Sequence, residues 1–159
     1  MGKQFNKVNK LRPLADRTLD AQMVTIDLPS YIEQIKKEKT WKKTDRNAIT
    51  VFKTTGLSIV LMAMRKDAEI SKHSTEGLVH IQVLEGKILI NAKGQPIQLS
   101  AGQILALHEG IPHSLQVKKK TIFLLTLSAT MDGNKSTLNG NTAMEQVTLN
   151  EKPIVEVTY

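Results

Sequence analysis

Val79-His80-Ile81-Gln82-Val83-Leu84-Glu85-Gly86-Lys87-Ile88-Leu89-Ile90 reads as strand, turn and strand. Val79, Ile81 and Val83 fall on one side and His80 and Gln82 on the other, the period of two that marks a half-buried strand. Glu85-Gly86-Lys87 breaks that alternation, and Ile88-Leu89-Ile90 resumes it. Downstream the texture repeats. Lys93-Gly94-Gln95-Pro96 is a turn, and Ile97–Leu99, Gln103–Leu107, Ser114–Val117 and Thr121–Leu127 are short apolar runs bounded by Gly, Pro or charge. Many short strands at about ten-residue spacing predict an all-β sandwich or barrel. No helix-length segment interrupts residues 48–127, which excludes a parallel α/β sheet.

Upstream, Ile49-Thr50-Val51-Phe52 is β-branched and aromatic, and Thr54-Thr55-Gly56 turns the chain. Leu57 to Met64 is apolar on both alternating faces, with Leu57, Ile59, Leu61 and Ala63 against Val60, Met62 and Met64. Such a strand is buried on both sides. One side would be barrel interior. The other needs a second layer, supplied by a partner subunit or by the N-terminal segment. A helix is expected from about 30 to 43. Ser30 and Glu33 have the spacing of a capping box, and Tyr31, Ile32, Ile35 and Trp41 form an apolar side among Lys36, Lys37, Lys39, Lys42 and Lys43. Met23 to Leu28 alternates like a short edge strand. Residues 128–142, rich in Ser, Thr, Gly and Asn, read as a loop, and 145–149 and 153–157 have the composition of one or two further strands. The organisation is thus an arm with a basic helix (1–47), a barrel (48–127), and a loop with C-terminal strands (128–159).

The chain of 159 residues suits one domain with a core of its own. It has no cysteine, so disulfides, thiolate metal sites and cysteine nucleophiles are excluded. No window approaches the ~20 apolar residues of a membrane span, and the first residues do not read as a secretory signal. A cytoplasmic protein is expected. The net charge of +7 is concentrated at the start: residues 1–53 hold 12 Lys+Arg against 6 Asp+Glu, and the remainder 10 against 9. No nucleic-acid motif accompanies it, so a solvated face is expected rather than a nucleic-acid interface.

The four histidines, His73, His80, His108 and His113, lie within 41 consecutive residues. Histidine is the commonest metal ligand and titrates near neutral pH. Around them the sequence resembles the small single-domain bacterial cupins. Asp67 through His73 and on to Val83-Leu84-Glu85-Gly86-Lys87 is similar to the first cupin motif, G-x5-H-x-H-x3,4-E-x6-G. Gly102 through Gly110-Ile111-Pro112-His113 is similar to the second, G-x5-P-x-G-x2-H-x3-N. His73, Gly86, Gly102, Gly110 and His113 match. Asp67, Thr75, Val79, His108 and Val117 stand where the motifs have Gly, His, Glu, Pro and Asn. The resemblance implies a double-stranded β-helix, or jelly-roll, barrel and a homodimer.

In metal-binding members of that family the motifs supply three histidines and a glutamate. Here two of the four ligands survive, His73 and His113, whereas a catalytic ion normally takes three protein ligands. The mouth turn offers His108, and the loop after Thr75 offers Glu76, as a third. His80 neighbours the glutamate position, so strand alternation points it outward when Val79 points in. There is no P-loop, dinucleotide fingerprint or nucleophile elbow. Met62 and Met64 read as core filler, Trp41 as a staple between helix and barrel, and Lys118-Lys119-Lys120 as a solvated tip.

Three functions follow. The first is a barrel that binds a small molecule without a tightly held metal, lined by Val79, Ile81 and Leu115 and by the polar His73, Thr75 and His113. The second is a metal-dependent enzyme of dioxygenase or isomerase type, with Fe, Mn, Ni or Zn on His73, His113 and a third ligand. The third is an interaction module whose basic helix, through Lys36, Lys37, Lys42 and Lys43, docks an acidic partner. The first is the expectation; whether the protein is an enzyme is left open.

Overall fold

The computed structural model describes residues 4–6 and 17–129. The loop and strands expected in 130–159 lie outside the described residues. Eleven strands and two helices are formed among those described. Strands β1 (Gln4–Asn6) and β2 (Arg17–Asp20) pair as an antiparallel ribbon. Helices α1 (Leu28–Lys37) and α2 (Lys39–Lys43) follow. Then come β3 (Arg46–Lys53), β4 (Leu57–Met64), β5 (Glu69–His73), β6 (Leu78–Glu85), β7 (Lys87–Ala92), β8 (Gln95–Ser100), β9 (Ile104–Leu107), β10 (His113–Val117) and β11 (Thr121–Ser128). They build a five-stranded sheet of order β3-β4-β11-β6-β9 and a four-stranded sheet of order β5-β10-β7-β8, every pair antiparallel.

Residues of both sheets share one apolar cluster. Val60, Met62, Val83, Ile88, Ile90 and Phe123 are all at most 1% exposed within it. It is the barrel interior, and Met64 joins it, so both methionines fill the core as expected. Strand β6 keeps the alternation read from the sequence: Val79, Ile81 and Val83 are buried and His80 is exposed. Gly86 closes the β6–β7 turn at φ 85°, where an added Cβ would lie 2.6 Å from the Lys120 carbonyl oxygen. Backbone conformation and space both demand glycine there. Asp67, standing where the first cupin motif has glycine, has φ 65°. The position requires a left-handed backbone, and Asp is among the few side chains that tolerate one.

The outer face of β4 is covered from within the chain. Ile35 and Trp41 of the helices cluster with Ile49, Leu61, Ala63 and Ile122 of the five-stranded sheet. Polar bonds tie this layer down. Asn47 Nδ2 donates to the Ile35 carbonyl at 3.1 Å and to Glu38 Oε2 at 2.8 Å. Arg65 donates to the Trp41 carbonyl at 2.6 Å from one of its terminal nitrogens, and its guanidinium lies 4.4 Å from the centre of the Trp41 ring. Trp41 is therefore the staple expected of it. The doubly apolar strand is satisfied by the helices and does not by itself call for a partner subunit.

Three local expectations are corrected. The helix does not run unbroken from 30 to 43, because Glu38 adopts an extended ψ of 147° and separates two helices. It starts earlier than expected, since the Asp27 carboxylate accepts the Ser30 N–H at 3.3 Å and Pro29 occupies the first turn, where its missing N–H costs nothing. The cap is thus Asp27 and not a Ser30–Glu33 box. Met23–Leu28 is not a strand. Residues 23–27 are irregular, Leu28 opens α1, and the N-terminal pairing uses Arg17–Asp20.

Candidate functional site

The two histidines shared with the cupin motifs meet. His113, the first residue of β10, is the antiparallel partner of His73, the last residue of β5. Their ring centroids are 4.4 Å apart with the planes tilted by 57°. His113 alternates with Leu115 and Val117, both members of the interior cluster, so it faces the barrel, and it is 4% exposed. His73 is half-buried. The chain enters and leaves this end of the barrel through the β5–β6 and β9–β10 loops. They are joined by a bond from the Gly110 N–H to the Thr75 carbonyl at 2.8 Å. At the same end of the facing sheet Val79 pairs in register with Leu107 and Leu127, all three buried.

Each imidazole is held by the backbone two residues before it, His73 within β5 and His113 in the loop that leads into β10. His73 Nδ1 lies 2.9 Å from the Ser71 carbonyl oxygen, and His113 Nδ1 lies 2.9 Å from that of Ile111. A carbonyl only accepts, so the neutral rings carry their hydrogen on Nδ1 and leave Nε2 as an acceptor. Burial pushes the His113 imidazolium below the ordinary histidine range. The bond to Ile111 opposes that shift, and the neighbouring His73 adds to it. His113 therefore favours its uncharged, lone-pair-bearing form.

The remaining candidates are placed as follows. Val79, Ile81 and Leu115 are buried in the interior cluster. Thr75 is half-buried, and its hydroxyl donates to the Gly77 carbonyl at 3.1 Å, so its hydrogen shapes the mouth loop. A methyl group at Gly77 would run into the Ser128 carbonyl, so that loop is packed hard on the end of β11. His108 and Glu76 are exposed, and His80 points outward. Among the described residues no three His, Cys, Asp or Glu side chains converge as a metal-holding group. His108 and Glu76 do not complete one with His73 and His113.

Backbone bonds from Nδ1 are how metal-bound imidazoles are commonly oriented, and both rings have one. The donor count does not fit, however. Two imidazoles fall short of the three protein ligands of a catalytic ion, and the family's glutamate position is occupied by Val79, which packs into the core. Of the basic helix residues, Lys36 pairs with Glu85 at 3.0 Å and Lys37 with Glu33 at 3.1 Å, while Lys39, Lys42 and Lys43 are exposed. The Ser71 and Ile111 carbonyls are parts of the site that sequence reasoning missed. Nothing in a side-chain pattern announces which backbone oxygen will take an imidazole N–H.

No family model matches the chain, and no curated protein matches it. Solved structures do. A cupin superfamily protein from Desulfitobacterium hafniense superposes with a TM-score of 0.58 at 17% identity, over 73% of this chain and 100% of that one. A conserved protein of unknown function from Streptococcus pyogenes gives 0.55 at 21% identity, over 72% and 94%. An RmlC-like cupin family protein with a double-stranded β-helix fold from Methanocaldococcus jannaschii gives 0.50 at 14% identity, over 55% and 84%. At these identities the likeness speaks for fold alone, and with the two sheets and the His73–His113 pair it shows that this chain has the cupin fold, a double-stranded β-helix barrel.

Proposed function

We propose that the protein binds a small molecule in the barrel, between the His73–His113 pair and the apolar wall of Val79, Ile81 and Leu115, without a tightly held metal. The observation that carries this reading is His113: a polar side chain almost wholly buried, facing an apolar interior, whose Nε2 has no hydrogen-bond partner among the described residues. Buried polar groups are nearly always satisfied, so an orphan in a native protein marks a place for something else to bind. A concave apolar site with a few convergent polar groups is the usual form of a small-molecule pocket. Thr75 contributes through the loop geometry it fixes.

The metal-dependent reading keeps one observation in its favour, the carbonyl-held Nδ1 of each ring. Elemental analysis of protein purified without chelator separates the two. The binding reading expects a metal-to-chain ratio near zero that stays low after incubation with Fe, Mn, Ni or Zn. It also expects ligands found by thermal stabilisation of the wild type to lose their effect in a folded His73→Ala variant. Near-stoichiometric metal that disappears in that variant would overturn it.

A further inference from the structure

The hydrogen-bond inventory of the pocket end is lopsided. Both rings give their Nδ1–H to the backbone carbonyl two residues before them. Two Nε2 lone pairs are left, and neither has a partner among the described residues. On the facing sheet at this end Val79, Leu107 and Leu127 are aliphatic, and the Thr75 hydroxyl of the mouth loop has given its hydrogen to Gly77. The site therefore offers two acceptors close together, one on the buried His113 and one on the half-buried His73, beside the apolar interior.

Resting on the binding reading above, we infer that the barrel takes a neutral ligand whose head carries two adjacent hydrogen-bond donors, a vicinal diol or its equivalent, on an apolar body. Each hydroxyl gives its hydrogen to one Nε2. Ring centroids 4.4 Å apart bring both nitrogens within reach of one such head group. A single alcohol satisfies one nitrogen and leaves the other bare. A ketone or ether sets lone pair against lone pair. A carboxylate, which brings lone pairs and no hydrogen, does the same. A metal ion could use the same lone pairs, but it lacks its third ligand here.

The test needs no mutation. Full-length protein with 15N-labelled histidine and methyl-labelled Ile, Leu and Val is titrated at slightly alkaline pH with four probes of one size: cis-1,2-cyclohexanediol, cyclohexanol, cyclohexanone and cyclohexanecarboxylate. Before any addition, the nitrogen spectrum should show Nδ1 protonated and Nε2 bare in both His73 and His113. The diol should move both Nε2 signals and the barrel methyls. Cyclohexanol should bind about tenfold more weakly, the worth of one hydrogen bond, and the ketone and carboxylate should leave the Nε2 signals in place. Nε2 protonated in the free protein overturns the inference outright. Equal binding of all four, with barrel methyl shifts, overturns the donor requirement while the pocket reading stands. No barrel methyl shift with any probe defeats the pocket reading, and this inference with it.

Discussion

The two faces of β4 border two apolar cores that end in opposite ways. Outward, Leu61 and Ala63 meet Ile35 and Trp41, and the polar groups around them are paired: Asn47 with the Ile35 carbonyl and Glu38, Arg65 with the Trp41 carbonyl, Lys36 with Glu85. Inward, Val60 and Met62 belong to the barrel cluster, whose polar boundary is the His73–His113 pair with two acceptors that have no partner among the described residues. The first core is closed and the second is left open at one chemical point. Where every buried polar group is satisfied, the arrangement explains stability. Where one is not, it points to a ligand.

That contrast is broken most severely at Trp41. Trp41→Ala removes a buried ring from the outer core together with the surface under Arg65, and should cost about 3–5 kcal/mol of unfolding free energy in urea. A loss below about 1 kcal/mol would mean that the helices are only loosely laid on the sheet. Asn47→Ala comes next. It strips the Ile35 carbonyl and Glu38 of a donor and the Ala48 N–H of its acceptor at 3.0 Å. Leaving buried groups unsatisfied should cost about 1–3 kcal/mol. Glu85→Gln, which loosens the partly exposed pair with Lys36, should change stability by less than about 1 kcal/mol in the same assay, and less still in high salt.

Most of the barrel was legible because its strands obey a period of two and four of its turn positions with positive φ, at Gly86, Gly94, Gly102 and Gly110, are glycine. Val79, Ile81 and Val83 face in and His80 out, as the alternation required. The outer layer was harder to read. Leu57–Met64 announced two buried faces but not what covers the second, since a helix of the same chain and a partner subunit write the same pattern. The false cap at Ser30 arose because Ser30-x-x-Glu33 competes with Asp27-Leu28-Pro29-Ser30, and both are good helix starts. The break at Glu38 has no breaker residue; there the Glu38 carboxylate accepts from Asn47 and from the Gln34 amide. Met23–Leu28 failed as a strand because alternation needs a neighbouring edge to pair with. His73 and His113, 40 residues apart, were brought together only by the family resemblance, and the carbonyls that fix their rings were silent.

The smallest expected effect is the most telling. His113→Leu replaces a buried acceptor without a partner among the described residues by an apolar side chain. It should leave stability within about 1 kcal/mol of wild type, because removing an unsatisfied group relieves its desolvation and offsets the lost bond to Ile111. Binding of a donor-bearing ligand should nevertheless be lost. The same variant should change how stability responds to pH. In the folded wild type the His113 pKa is depressed below the ordinary 6.5 by burial, so between those two values the unfolded chain holds more protons than the native one. Stability is then greatest above 6.5 and falls as pH drops toward the depressed value, below which both states are protonated and the loss is complete. Urea midpoints compared at slightly alkaline and mildly acid pH should decline more in wild type than in His113→Leu. Equal declines would place the acid sensitivity elsewhere and mean that His113 already shares its buried nitrogen with water, which would make the inner core as well satisfied as the outer one.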